Sequence, residues 1–260
     1  MQPLFFRSFG DPCHPPLVFL HGLLGSGDNF KSFVTVFSSH YFVILPDLCN
    51  HGQSFHSPSF SYQSMAQDLK CLFQSLSIEK VTLVGHSMGG KVALSFLYYY
   101  PELLNRLIVL DILPIFYDFS HHENSHAQIF KALLSLPLDQ ILSREEIVSY
   151  LSQFLTDSRL IAFLLKNIER SPQGFSFKSN VSALWQGYSA IQSEVPLKKT
   201  DVPTLFLFGQ HSEYYEEQSF INIQPFFQVL FSKFILNAGH WIFIDQPQAC
   251  LNAIQDFLKE

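Results

Sequence analysis

Six short apolar runs punctuate the chain: LVFL (Leu17 to Leu20), YFVILP (Tyr41 to Pro46), VTLVG (Val81 to Gly85), RLIVLD (Arg106 to Asp111), TLFLFG (Thr204 to Gly209) and KFILN (Lys233 to Asn237). Each has the length of a strand, and each is apolar at successive positions rather than alternate ones, so both faces of the pleat must be covered. Helical patterns separate successive runs, which is what strands returning parallel to one another require. The pattern predicts an α/β fold, a mostly parallel central sheet flanked by helices.

Between Ile112 and about Thr200 this alternation stops. HAQIFKALLSL, SREEIVSYLSQFL and TDSRLIAFLLKNI space apolar residues three and four apart, and Ser143 with Glu146, or Thr156-Asp157, supply helix starts. Because strand text resumes at Val202, residues 113–200 are expected to form a helical cap inserted into a core made of 1–112 and 201–260. An insertion at the carboxyl edge of the sheet would lie over any site there.

A chain of 260 residues, 47% hydrophobic and 15% charged, can bury one sizeable core and leaves no segment with the composition of disorder. Its net charge of −6 and lack of a Lys/Arg cluster argue against nucleic acid as a partner and favour a small-molecule substrate. Cys13, Cys49, Cys71 and Cys250 show neither CxxC spacing nor a disulfide framework, which fits a reduced cytoplasm. No apolar run approaches the ~20 residues of a membrane span, and the N-terminus does not read as a signal peptide. The 28 Phe fit either a composition bias or a wide apolar pocket, and composition does not separate these.

Gly85-His86-Ser87-Met88-Gly89 follows the strand VTLV and opens the helical pattern GGKVALSFLYYY. In a G-x-S-x-G turn between strand and helix the serine hydroxyl projects above the sheet, and the glycines remove side chains that would clash. Ser87 is therefore the candidate nucleophile. His21-Gly22-Leu23-Leu24-Gly25 follows LVFL, where a loop N–H can act with that of the residue after the nucleophile, so Leu23 and Met88 are the candidate oxyanion-hole donors. Two such fixed donors are worth about 3 kcal/mol each to an acyl-transfer transition state. His240, in NAGHW after KFIL, is the candidate base, because an imidazole can take and return the serine proton and a late histidine suits the chain order Ser, acid, His. His211 is its nearest rival.

From HGLLGSGDNF through PDLCNHGQSF and VGHSMGGKVAL to NAGHWIFIDQP, the chain resembles the α/β-hydrolase family over essentially its whole length. Most members carry the acid three residues beyond the glycine that ends TLFLFG, and here that residue is Ser212. Glu213 stands one residue further, and Asp201 lies at the wrong end of the strand. The chain is similar to the YbfF-type esterases and their mitochondrial relatives in GHSMGGK, NHGQS, FGQHSEYY and NVSALWQGY, and in that subset the acid follows the earlier strand. The resemblance implies Asp111 as the acid, since parallel strands present their carboxyl ends on one edge, where Asp111, Ser87 and His240 would meet. Glu213 stays open as the alternative.

Other polar residues read as structural. Asp47 and Asn50-His51-Gly52-Gln53-Ser54 are expected to satisfy loop backbone, His121, His122 and His126 to sit in a solvated lid loop rather than bind metal, Lys91 to lie on the surface, and Asp245 to start a helix. Trp185 and Tyr188 are equally readable as core or as acyl pocket. The expectation is a serine esterase acting on a carboxylic ester or thioester with an apolar acyl group, without metal or organic cofactor. A thioesterase for acyl-CoA or acyl carriers, a methyl esterase, a C–C bond hydrolase and a non-catalytic ligand-binding relative remain open.

Overall fold

The computed structural model describes residues 2–118, 125–172 and 174–260. Seven strands form the main sheet: β1 (Phe6–Phe9), β2 (Pro16–Leu20), β3 (Phe42–Pro46), β4 (Val81–His86), β5 (Leu104–Leu110), β8 (Thr204–Gly209) and β9 (Leu230–Ile235), with β6 (Ile168–Ser171) and β7 (Gly174–Phe177) forming a separate pair. Their order across the main sheet is β1-β3-β2-β4-β5-β8-β9. β1 runs antiparallel to β3, and every other neighbouring pair is parallel. The three strands beyond the sequence pattern, β1, β6 and β7, have physical reasons to be missed. β1 is a half-exposed edge strand without an apolar run, and its polar Arg7 and Ser8 pair with Leu45 and Ile44.

Alternate residues of each central strand feed two cores. Leu17, Phe19, Val84, Ile108 and Leu110 face one side, where helices Lys31–Phe37 and Pro247–Lys259 cover them. Val18, Leu20, Leu83, Leu107 and Val109 face the other, under helices Tyr62–Ser75 and Met88–Tyr99. Much of the phenylalanine is spent here. Phe19, Phe30, Phe33 and Phe37 contact one another ring to ring, with Phe243 against Phe30 and Phe33.

Between β5 and β8 lie helices His126–Leu134, Arg144–Leu151, Ser158–Leu164, Val181–Gln186 and Tyr188–Gln192. The helix starts follow from capping: Ser143 accepts the Glu146 N–H, and Asp157 accepts those of Arg159 and Leu160. This segment is not wholly helical. β6 and β7 form an antiparallel hairpin in register Ile168↔Phe177, in text that carries little period-two apolar alternation. The last core strand is also shifted from the expected KFILN to Leu230–Ile235, because its outer face is solvent-exposed and its pattern weak.

Candidate active site

At the end of β4 the chain reverses through Ser87, whose backbone is held at φ 53°, ψ −121°, and enters the Met88–Tyr99 helix. Such strain, about 1–3 kcal/mol for a non-glycine residue, persists only where the surroundings impose it. The flanking glycines show how: a Cβ on Gly85 would lie 2.3 Å from the Gly89 carbonyl oxygen, and one on Gly89 would lie 2.4 Å from that of Leu20. Strand and helix pack too closely for any side chain there.

Asp111 follows β5 and is fully buried. Its carboxylate accepts three hydrogen bonds: from the Gly209 N–H at 2.7 Å, from the Ser212 hydroxyl, and from His240 Nδ1–H at 2.7 Å. The imidazole face of His240 has a further partner. The Tyr214 ring stacks on the imidazole, centroids 3.7 Å apart at 14°, and burial raises the Tyr214 phenol so that it stays neutral. Behind them, Tyr117 accepts the Leu113 N–H and donates to the Tyr214 carbonyl. His86 Nε2–H donates to the His240 carbonyl at 2.9 Å, and burial, reinforced by His240, lowers its pKa well below the ordinary value. His86 thus holds the His240 backbone as a neutral ring. Glu213 is exposed.

The His21-to-Gly25 loop is fixed by two buried imidazoles. His21 donates from Nδ1 to the Gly22 carbonyl and accepts the Leu48 N–H at Nε2, while His51 donates to the Cys49 carbonyl and accepts the Leu24 N–H. Burial lowers His21 to about 4 and His51 to about 3, the latter helped by His21. Gly22 lies so close to the serine turn that a Cβ there would be 3.3 Å from Ser87 Cβ. Among the described residues the Leu23 and Met88 N–H groups have no hydrogen-bond acceptor. Asp47 and Asn50 do serve the loop backbone, accepting N–H groups from Gly27, Gln53 and Ser57.

Two cavities meet at Ser87. One, the larger, is lined by His240, Trp241, Phe163 and Leu164; the other by Met88, Tyr62, Tyr117, Tyr188 and Ile191. Leu23, Ser87 and His126 border both. Tyr188 is therefore a pocket residue, whereas Trp185 stacks behind it and is half-exposed.

Three readings are corrected. His126 is not solvated: its Nδ1 hydrogen-bonds the Tyr188 hydroxyl at 2.7 Å, and burial lowers it to about 4. His121 and His122 lie outside the described residues. Lys91 is buried, because the helix face one turn past Ser87 points under the 113–200 segment, where backbone carbonyls receive its ammonium. Asp245 does not cap the final helix, which Gln246 precedes and Pro247 opens. It accepts the Gly239 N–H at 2.9 Å and pairs with Arg159 at 3.2 Å, because the short Ile242–Asp245 turn brings it back beneath Gly239. His86, Ser212 and Tyr214 escaped sequence reasoning. The signal for Ser212 was its position three beyond Gly209; for the other two there was none.

A family model for the α/β hydrolase fold matches residues 15–136. The chain is 33% identical over 246 residues to a putative esterase/lipase of Haemophilus influenzae, spanning 95% of this chain and 84% of that protein. It is 32% identical over 245 residues to esterase YbfF of Escherichia coli, spanning 94% and 93%. Among solved structures, a marine microorganism esterase matches with a TM-score of 0.94 at 36% identity, covering 99% of this chain and 100% of that one. With the sheet order, the strained serine turn and relatives of this identity along nearly its full length, the chain belongs to the α/β-hydrolase family.

Proposed function

We propose that the chain hydrolyses carboxylic esters in two steps, with Ser87 as nucleophile, His240 as general base and Asp111 as the residue that orients the imidazole. Ser87 Oγ attacks the ester carbonyl as His240 Nε2 takes its proton. The carbonyl oxygen becomes an oxyanion that the N–H groups of Leu23 and Met88 receive. Collapse breaks the bond to the alcohol oxygen, which leaves with the proton from His240. Water then attacks the acyl-serine, again with His240 as base, and releases the acid and the free serine. Asp111 fixes the Nδ1–H tautomer, leaving Nε2 as the acceptor.

The observation that carries this reading is the hydrogen-bonded line from buried Asp111 to His240, at the wall of a cavity that Ser87 also lines. Residues 113–200 act as a cap over both cavities, Phe163 and Leu164 lining the larger and Tyr188 the smaller. The apolar lining favours apolar substrate parts. Cys13, Cys49 and Cys250 are free thiols, in keeping with a reducing compartment such as the cytoplasm. Among the described residues no helix is long and apolar enough to cross a membrane.

A fluorophosphonate probe and p-nitrophenyl acetate test the assignment. Wild type is expected to be labelled and to turn over the ester, while Ser87→Ala loses labelling and at least about 10³-fold in kcat. Folded wild type that takes no label and hydrolyses no ester would overturn it.

A further inference from the structure

Lys91 stands one helical turn beyond Ser87, and its N–H closes on the Ser87 carbonyl at 3.1 Å. Its side chain is buried, which lowers its amine to about 7, and the ammonium form there is costly unless other groups replace the lost water. Three carbonyls do so: Ile115 at 2.7 Å, Ser193 at 2.7 Å and Gln192 at 3.2 Å, one acceptor for each proton. The Tyr117 and Tyr62 rings lie 5.0 and 5.8 Å from the ammonium.

These acceptors come from two different passages of chain. Ile115 lies just past Asp111, on the way out of the core, and Gln192 and Ser193 lie on the way back to β8. The passages also hold each other, through the Tyr117 N–H to the Gln192 carbonyl, the Gln192 Nε2–H to the Tyr117 carbonyl, and the Val195 N–H to the Pro114 carbonyl. Tyr62 adds a tie from the core, its hydroxyl donating to the Ile191 carbonyl at 2.6 Å. The ammonium therefore sits in the neck of the inserted segment and pins it to the helix that begins at Ser87.

The same side chain borders the smaller cavity at Ser87, together with Met88, Tyr62 and Ile191. In the acyl transfer proposed above, His240 must reach the leaving oxygen. The alcohol part then occupies the larger cavity, which His240 lines, and the acyl part the smaller one, whose lining includes Met88. Resting on that reading, we propose that Lys91 is a specificity-determining residue: by pinning the neck to the Met88–Tyr99 helix it limits the depth of the acyl cavity, so that the preferred esters join a short acyl group to a larger apolar alcohol.

Two ester series test this. In p-nitrophenyl esters from acetate to decanoate, wild-type kcat/KM is expected to fall as the acyl chain lengthens; in alkyl acetates it is expected to hold or rise with the alcohol. Lys91→Met keeps most of the volume and removes the donors, and is expected to raise the octanoate-to-acetate ratio of kcat/KM by about tenfold, the scale on which apolar pockets discriminate. A ratio taken within one preparation does not depend on how much protein is folded. Tyr62→Phe removes the second tie with little change in volume and is expected to move the ratio the same way by less, which keeps the test open if Lys91→Met does not fold. A wild type with equal rates on acetate and decanoate, or variants with the wild-type ratio, would overturn the inference while leaving the acyl-enzyme reading intact. Absence of all ester turnover and of fluorophosphonate labelling would instead remove that reading.

Discussion

Asp111 sits at φ 56°, a left-handed conformation that few non-glycine residues adopt and that short polar side chains tolerate best. The turn this makes at the end of β5 puts both carboxylate oxygens within reach of donors on other segments, Gly209 at the end of β8, Ser212 just beyond it and His240 after β9. Substitution should separate the two acids considered from sequence. Asp111→Asn is expected to lower kcat by about 10⁴-fold, because an amide there can hold the wrong imidazole tautomer, while Glu213→Gln stays within about threefold of wild type. Comparable losses in both, read from p-nitrophenyl acetate kinetics, would disprove the assignment of Asp111. The sequence made Ser87 and His240 legible because each belongs to a local pattern. The hydrogen bond of Ser212 to Asp111 was not, since Ser212 lies far along the chain and only the neighbouring of β5 and β8 brings it near.

At the level of loops and elements, the two neutral imidazoles make the loop after β2 sensitive to acid. His21 and His51 each use one ring nitrogen as donor and the other as acceptor, so a second proton on either ring would abolish an N–H···N bond to Leu48 or Leu24. Their folded pKa values, about 4 and about 3, lie below the 6.5 of a free imidazole. The unfolded chain therefore binds the extra protons first. Stability is full above about pH 6.5 and declines as pH falls towards 4, with His21 alone worth about 3 kcal/mol. Denaturant unfolding across this range is expected to show the decline, and NMR at about pH 5.5 is expected to find both rings still neutral. Two protonated rings in folded protein at that pH would refute it. The sequence leads us to expect His51 to satisfy loop backbone, but not that each ring bonds across to the other's loop, with Leu48 and Leu24 lying 27 residues from their acceptors. The central strands were legible for the opposite reason: burial on both faces writes a continuous apolar run, which half-exposed β1, β6, β7 and β9 lack.

Across the whole molecule, two of the ties between core and inserted segment bear directly on the site, apart from pairs such as Arg159 with Asp245. One is the neck around Lys91. The other is Asn167, whose side-chain amide donates to the Leu24 carbonyl and accepts the Ser179 hydroxyl, so that the hairpin side of the insertion holds the loop containing Leu23. Asn167→Ala leaves both partners buried and unpaired, and is expected to cost about 1–3 kcal/mol in denaturant unfolding and to lower kcat/KM on the acetate ester. Unchanged stability and kinetics would show that the tie is dispensable. The residues from Asp111 to Ile115 have a consequence for anyone who would exchange parts between relatives. The acid and the first clamped carbonyl are separated by Ile112, Leu113 and Pro114 alone. The insertion is thus not a detachable module: a chimaera spliced at the strand end would disturb the acid as well, and a working seam has to be cut inside the insertion, beyond Tyr117 and before Ile191.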